Sequence, residues 1–153
     1  MSSTEVRWLD AEQQRHWRAF LTGSAIVTSA LSAQLEAESG LSLSEYEVLV
    51  RLSEAPERTL RMSRLAEGLV HSRSRLTHTV RRMEERGLVE RRQCESDGRG
   101  VNCRMTEHGY QVLVEAAPGH VMAVRRVLVD VLTPEQFAAL GEAMAAVAAA
   151  AEK

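Results

Sequence analysis

Residues 72–93 read SRSRLTHTVRRMEERGLVERRQ, and the hydrophobic period changes partway along. Up to Arg86, the side chains of Leu76, Val80 and Met83 fall within about 60° of one another at 100° per residue, the buried stripe of a helix. Opposite that stripe stand Ser74, Arg75, Thr77, His78, Arg81 and Arg82. Gly87 sits where a helix closes on its C′ residue. After Gly87 the period is two: Val89, Arg91 and Gln93 alternate with Leu88, Glu90 and Arg92, up to Cys94. Residues 95–100, Glu-Ser-Asp-Gly-Arg-Gly, are turn formers, and 101–105 read as a returning strand. Residues 88–105 are therefore predicted to form a β-hairpin.

Upstream, Thr59-Leu60-Arg61 reads as a small strand, and 62–68 as a short helix burying Leu65 and Leu69. A short helix followed closely by a longer Arg-rich one is the helix-turn-helix pattern, and a hairpin directly behind it is a wing. The N-terminal helix runs from Asp10, its N-cap with Gln13 three residues on, to Ser39-Gly40. Its stripe is Trp17, Leu21, Ser24, Thr28, Leu31 and Leu35. Ser44 is read as the cap of the second helix, with Glu47 closing the capping box, and Ala55-Pro56 stops it. After the wing, Thr106 starts a helix that Pro118-Gly119 is expected to kink or break. Thr133-Pro134-Glu135-Gln136 opens a last helix, whose Phe137, Leu140, Met144 and Val147 make a coiled-coil-like seam.

The 153 residues predict one domain, mainly α with a small β-wing. Hydrophobic residues at 44% argue against disorder, and two cysteines cannot build a disulfide scaffold. No apolar run approaches the roughly 20 residues of a membrane span, and no signal peptide is visible, so a cytoplasmic protein without a membrane role is expected. The net charge of −2 is unevenly spread: residues 58–104 carry +6 and the remainder −8. A basic block points to a polyanion. Ser72, Arg73, Ser74, Arg75, Thr77, His78, Arg81 and Arg82 are donors suited to base edges and phosphates. Ser72 and Ser74 stand where the backbone N–H groups of a helix start are free to meet a phosphate.

At these residues the chain resembles the MarR family of winged-helix transcriptional regulators, over nearly its whole length. The likeness rests on Leu43-Ser44-Glu45-Tyr46-Glu47-Val48-Leu49, Met62-Ser63-Arg64-Leu65-Ala66-Glu67 and Ser72-Arg73-Ser74-Arg75-Leu76-Thr77. It continues in Glu85-Arg86-Gly87-Leu88-Val89-Glu90-Arg91, and in Asp97-Gly98-Arg99-Gly100 ahead of Met105-Thr106-Glu107-His108-Gly109. The resemblance implies that Arg99 enters the minor groove from the wing tip, with Asp97 holding its guanidinium. It also implies a homodimer in which residues 10–38 with 107–151 dimerise and 44–106 bind DNA, the two regions intertwined as one domain. Two recognition helices about 34 Å apart would then read an imperfect palindrome in double-stranded DNA. Relatives commonly repress, and release DNA on binding a small aromatic or phenolic ligand, for which His16, Trp17, Arg18 and His120 are candidates.

Three alternatives stay open. Cys94 and Cys103, on opposite strands of the hairpin, are a candidate redox pair. A metal-responsive regulator of the same fold would need ligands gathered by the fold, because His16, His71, His78, His108 and His120 show no ligand spacing with the cysteines. A winged helix that binds protein would not need the basic face. Nothing resembles a phosphate loop, a nucleophile elbow or a zincin motif, so neither an enzyme nor a cofactor is expected.

Overall fold

The computed structural model describes residues 5–67, 73–94 and 100–152. In chain order these form α1 (Ala11–Ser39), α2 (Leu43–Glu54), β1 (Thr59–Arg61), α3 (Met62–Glu67), α4 (Arg73–Glu85), β2 (Val89–Gln93), β3 (Val101–Met105), α5 (Glu107–Val124) and α6 (Pro134–Ala151). The architecture is the expected winged helix-turn-helix with helices on both sides in sequence. Leu69 and Ser72 lie outside the described residues.

Local chemistry sets most of these boundaries. Asp10 accepts the Gln13 N–H at 2.8 Å, and the Gln13 side chain accepts the Asp10 N–H at 3.0 Å. Thr133 and Gln136 repeat the reciprocal pair at the start of α6, with Pro134 in the first turn. The second helix corrects the sequence reading by two residues. Ser42, not Ser44, is the cap: its hydroxyl accepts the Glu45 N–H at 3.1 Å, and Glu45 returns a bond to the Ser42 N–H at 2.9 Å. Ser44 and Glu47 fall inside the helix.

Helix α4 ends in a Schellman turn. The Leu88 N–H reaches the Met83 carbonyl and the Gly87 N–H the Glu84 carbonyl, each at 3.0 Å. Gly87 has φ +73, the left-handed region that glycine enters without penalty. The turn delivers the chain directly into β2. The sheet order is β1-β3-β2, so the small strand predicted at 59–61 becomes an outer strand beside the hairpin.

The hairpin register separates the two cysteines. Arg91 faces Cys103 and Gln93 faces Val101, and the Cys94 N–H bonds the Gly100 carbonyl at 2.6 Å. Cys94 is thus three residues along the strand from the position opposite Cys103, about 10 Å away and on the other face of the sheet. A disulfide needs the two Cα atoms within about 7 Å, so the candidate pair Cys94 and Cys103 cannot close one within this hairpin. Cys103 is buried, and burial chiefly pushes its thiol up to about 12.

Pro118 does not break α5, which runs unbroken from Glu107 to Val124. Burial of Leu113, Ala116, His120 and Ala123 on either side of the proline holds the helix through the lost donor. The irregularity comes later, as a wider π-type turn over Arg125–Val129. One core joins the layers: Leu35 of α1 and Leu113 of α5 pack with Leu49 and Leu52 of α2, Leu65 of α3, Val80 and Met83 of α4, and Met105 of β3. Among the described residues, no helix is long and apolar enough to cross a membrane.

Candidate nucleic-acid interface

Packing orients the basic face. Leu76, Val80 and Met83 are buried, which anchors one side of α4 and turns Ser74, Arg75, Thr77, His78, Arg81 and Arg82 to the surface. Thr79, not singled out by the sequence, joins the buried side. Arg73 opens the helix; its side chain, like Ser72, Asp97 and Arg99, lies outside what the structure describes.

Many arginines of the +6 block serve the scaffold instead. Glu84 accepts the Arg91 N–H at 2.9 Å and its guanidinium at 3.1 Å, tying α4 to β2. Those bonds hold the Glu84 carboxyl below its ordinary value. Glu90 takes Arg104 at 2.8 Å and Arg92 at 3.3 Å. Glu107 takes Arg58, whose guanidinium also lies 3.7 Å from the centre of the Tyr110 ring. Glu45 is almost fully buried and accepts Arg86 at 3.1 Å, bracing the C-terminal end of α4 against α2. These pairs brace the scaffold, although Arg92 and Arg104 remain exposed, and the outward face of α4 adds its own surface charge.

Arg61, on β1 beside the wing, is a residue the sequence did not single out. Its guanidinium donates to Cys94 Sγ at 3.4 Å and passes so close to Gly100 that a Cβ there would stand 2.9 Å from Arg61 Nε. The only signal in the sequence was Gly100 itself, a glycine at a close approach.

The four candidate ligand residues are not brought together within one chain. His16, Trp17 and Arg18 lie exposed on the first turns of α1, where Trp17 stacks on Phe20 at 6.0 Å. His120 is buried on α5, 4.3 Å from the Tyr46 ring, with Nδ1 3.3 Å from Gln34 Oε1. Sixteen residues of helix separate Arg18 from Gln34, about 24 Å. Among the described residues, no three His, Cys, Asp or Glu side chains gather to hold a metal ion.

The Gln34 amide donates to Glu38 Oε2 at 2.7 Å, so its carbonyl faces His120 and the neutral ring donates from Nδ1. Burial lowers the His120 pKa from the ordinary 6.5. The unfolded chain then takes up a proton that the fold resists, so this stability is present above 6.5 and lost as pH falls below it. Urea unfolding of the wild type should show a lower free energy at about pH 5.5 than at about 7.5, and His120→Gln should lack that part of the slope. Equal slopes would assign the loss to other groups. Glu84 acts in a separate window, below 4.5.

A basic recognition helix braced by a buried carboxylate, with a hairpin fixed to its end, defines a winged helix-turn-helix. The chain belongs to the MarR family of transcriptional regulators. It matches that family over residues 39–100. It is 45% identical to Sco3205, a MarR family transcriptional regulator from Streptomyces coelicolor solved in complex with DNA. The TM-score is 0.91, with 95% of this chain and 91% of that one covered. AbsC, another such regulator from the same organism, is 40% identical at a TM-score of 0.90, with 96% and 99% covered. The transcriptional repressor MprA of Escherichia coli is 29% identical over 79 residues; the match takes in 52% of this chain and 45% of that protein's length.

Proposed function

We propose that the protein is a homodimeric repressor, acting in the cytoplasm, that binds an imperfect palindrome in double-stranded DNA. Residues 44–106 bind, and residues 10–38 with 107–151 dimerise. The observation that carries this reading is the outward face of α4, with its donors Ser74, Arg75, Thr77, His78, Arg81 and Arg82, and the wing fixed directly to its end. A two-fold dimer presents two such helices to successive major grooves about 34 Å apart. A dimer lying across a promoter excludes polymerase, which is repression. The DNA complex of the 45% identical Sco3205 supports the docking mode.

The dimer surface is supported by what one chain leaves uncovered. Among the described residues, Phe137, Met144 and Val147 of α6 and Trp17, Phe20 and Leu21 of α1 stay exposed in one chain, and Leu140 is only partly covered. A cleft of about 510 Å3 between α1, the π-type turn and α6, lined by Phe20, Val27, Leu128 and Leu140, opens onto this same surface, where a second copy would close it.

The test is a gel shift on an operator selected from a random duplex pool. Arg75→Ala, Arg81→Ala and Arg99→Ala should each weaken binding by about tenfold or more. The wild type should be strongly salt-sensitive yet weak on arbitrary duplex, because the −8 remainder repels phosphate. Wild-type affinity in all three variants would overturn the docking. Retention of no duplex at low salt would leave a winged helix that binds protein.

A further inference from the structure

On the exposed face of α4, the guanidinium Nη2 of Arg81 lies 2.9 Å from His78 Nδ1. The two residues are three apart, neighbours on one face of the helix. A guanidinium only donates, so Nδ1 accepts and the neutral ring carries its proton on Nε2. Everything the pair presents outward is then a donor: His78 Nε2–H and the remaining N–H groups of Arg81. We propose that His78 is the positioning residue for Arg81, and that the bond between them holds the guanidinium to read a guanine in the major groove.

Base chemistry selects guanine. Its major-groove edge offers two adjacent acceptors, O6 and N7, which match a guanidinium fork. Adenine sets an amino donor beside N7, cytosine offers a donor, and thymine has a single acceptor beside a methyl group. A fork distinguishes these edges only when its plane is fixed. Arg side chains are rich in rotamers, and the Nδ1 acceptor removes part of that freedom before DNA arrives. Without His78 the charge of Arg81 remains and still attracts phosphate, but the fork is no longer aimed. This inference rests on the DNA-binding reading above, and its test separates the two.

The experiment selects duplexes from a random pool with the purified full chain and with Arg81→Ala. The base position whose preference Arg81→Ala loses identifies its contact, and guanine is expected there. Wild type should prefer the selected duplex over one with that G·C pair changed to A·T by about 5- to 150-fold. His78→Leu should bring the two duplexes within about twofold of each other, with the salt slope unchanged because the Arg81 charge stays. His78→Asn places a carbonyl acceptor close to where Nδ1 stood and should restore the discrimination.

The proposal is overturned if His78→Leu keeps the preference, or loses it at a different position from Arg81→Ala, because His78 would then act alone. It is equally overturned if His78→Asn behaves like His78→Leu, or if the Arg81 position prefers another base. Failure of the wild type to enrich any duplex would overturn the DNA-binding reading itself.

Discussion

The double variant Leu140→Asp with Met144→Asp should be a monomer, and should bind a full palindromic operator about 10²–10⁴-fold more weakly than wild type. Both residues lie on α6, which buries no side chain in the isolated chain. Phe137 is 40% exposed, Met144 38% and Val147 61%, while α1 presents Trp17 and Phe20 beside the same cleft. Soluble monomers rarely leave so continuous an apolar surface in water. In the proposed dimer a second copy covers it, and a carboxylate in the seam would then have to be buried without a partner, at a cost that exceeds what the seam gains. Each monomer retains its own α4 and wing, so half-site contacts survive. What is lost is the effective concentration of the second reading head. Light scattering should give a mass near 17.0 kDa for the variant and about twice that for wild type. A variant that stays dimeric and holds the operator would place the interface elsewhere.

How far the sequence carries can be judged residue by residue. The signals that held are those whose partners lie within a turn or two: Asp10 with Gln13, Thr133 with Gln136, Gly87 at the end of α4, and the Leu76, Val80 and Met83 stripe. The cap of α2 shows where local signals tie. Ser42 with Glu45 and Ser44 with Glu47 both satisfy the capping-box spacing. A residue 41 positions away belongs to the choice: Arg86 reaches the buried Glu45, and no short window contains that contact.

The wing fails for a related reason. Counting outward from Gly98-Arg99 sets Cys94 opposite Cys103, as though the turn fixed the register. The register is pinned at the other end, where the Thr106 N–H bonds the Leu88 carbonyl at 3.1 Å and its hydroxyl bonds the Gly87 carbonyl at 2.6 Å. From that base, Val89 pairs with Met105 and Arg91 with Cys103. An odd offset then sends the cysteines to opposite faces. Net charge is blind to the same long-range pairing: residues 58–104 are basic, but Glu84, Glu90, Glu45 and Glu107 draw arginines of that block into scaffold pairs across strands and helices.

That pinned base makes Gly109→Ala the most damaging methyl among the described glycines. Gly109 is buried in the first turn of α5, where its N–H bonds Thr106 Oγ1 at 3.0 Å. A Cβ there would collide with the Leu88 carbonyl oxygen and stand 3.0 Å from both its carbon and Met105 Cγ. The obstacle is backbone, and that carbonyl already accepts the Thr106 N–H, so it cannot rotate away. The start of the hairpin has to move off α5, and Leu88 carries the last bond of the Schellman turn of α4, so recognition helix and wing shift together. Forcing one methyl into a site of this kind costs about 3 kcal/mol, a fall in melting temperature of about 10 °C for a chain this size. Operator affinity should fall as well, even at temperatures where the variant is folded. Gly87→Ala makes an informative contrast. Gly87 stands out in the sequence as a helix C′ residue and its φ is positive, yet an added Cβ meets only a His108 ring carbon at 4.0 Å. Its cost is the left-handed backbone alone, about 1 kcal/mol. Thermal melts of the two variants at one protein concentration should therefore rank Gly109→Ala well below Gly87→Ala. The reverse order, or a Gly109→Ala melt matching wild type, would mean that α5 and the base of the wing are not packed as described.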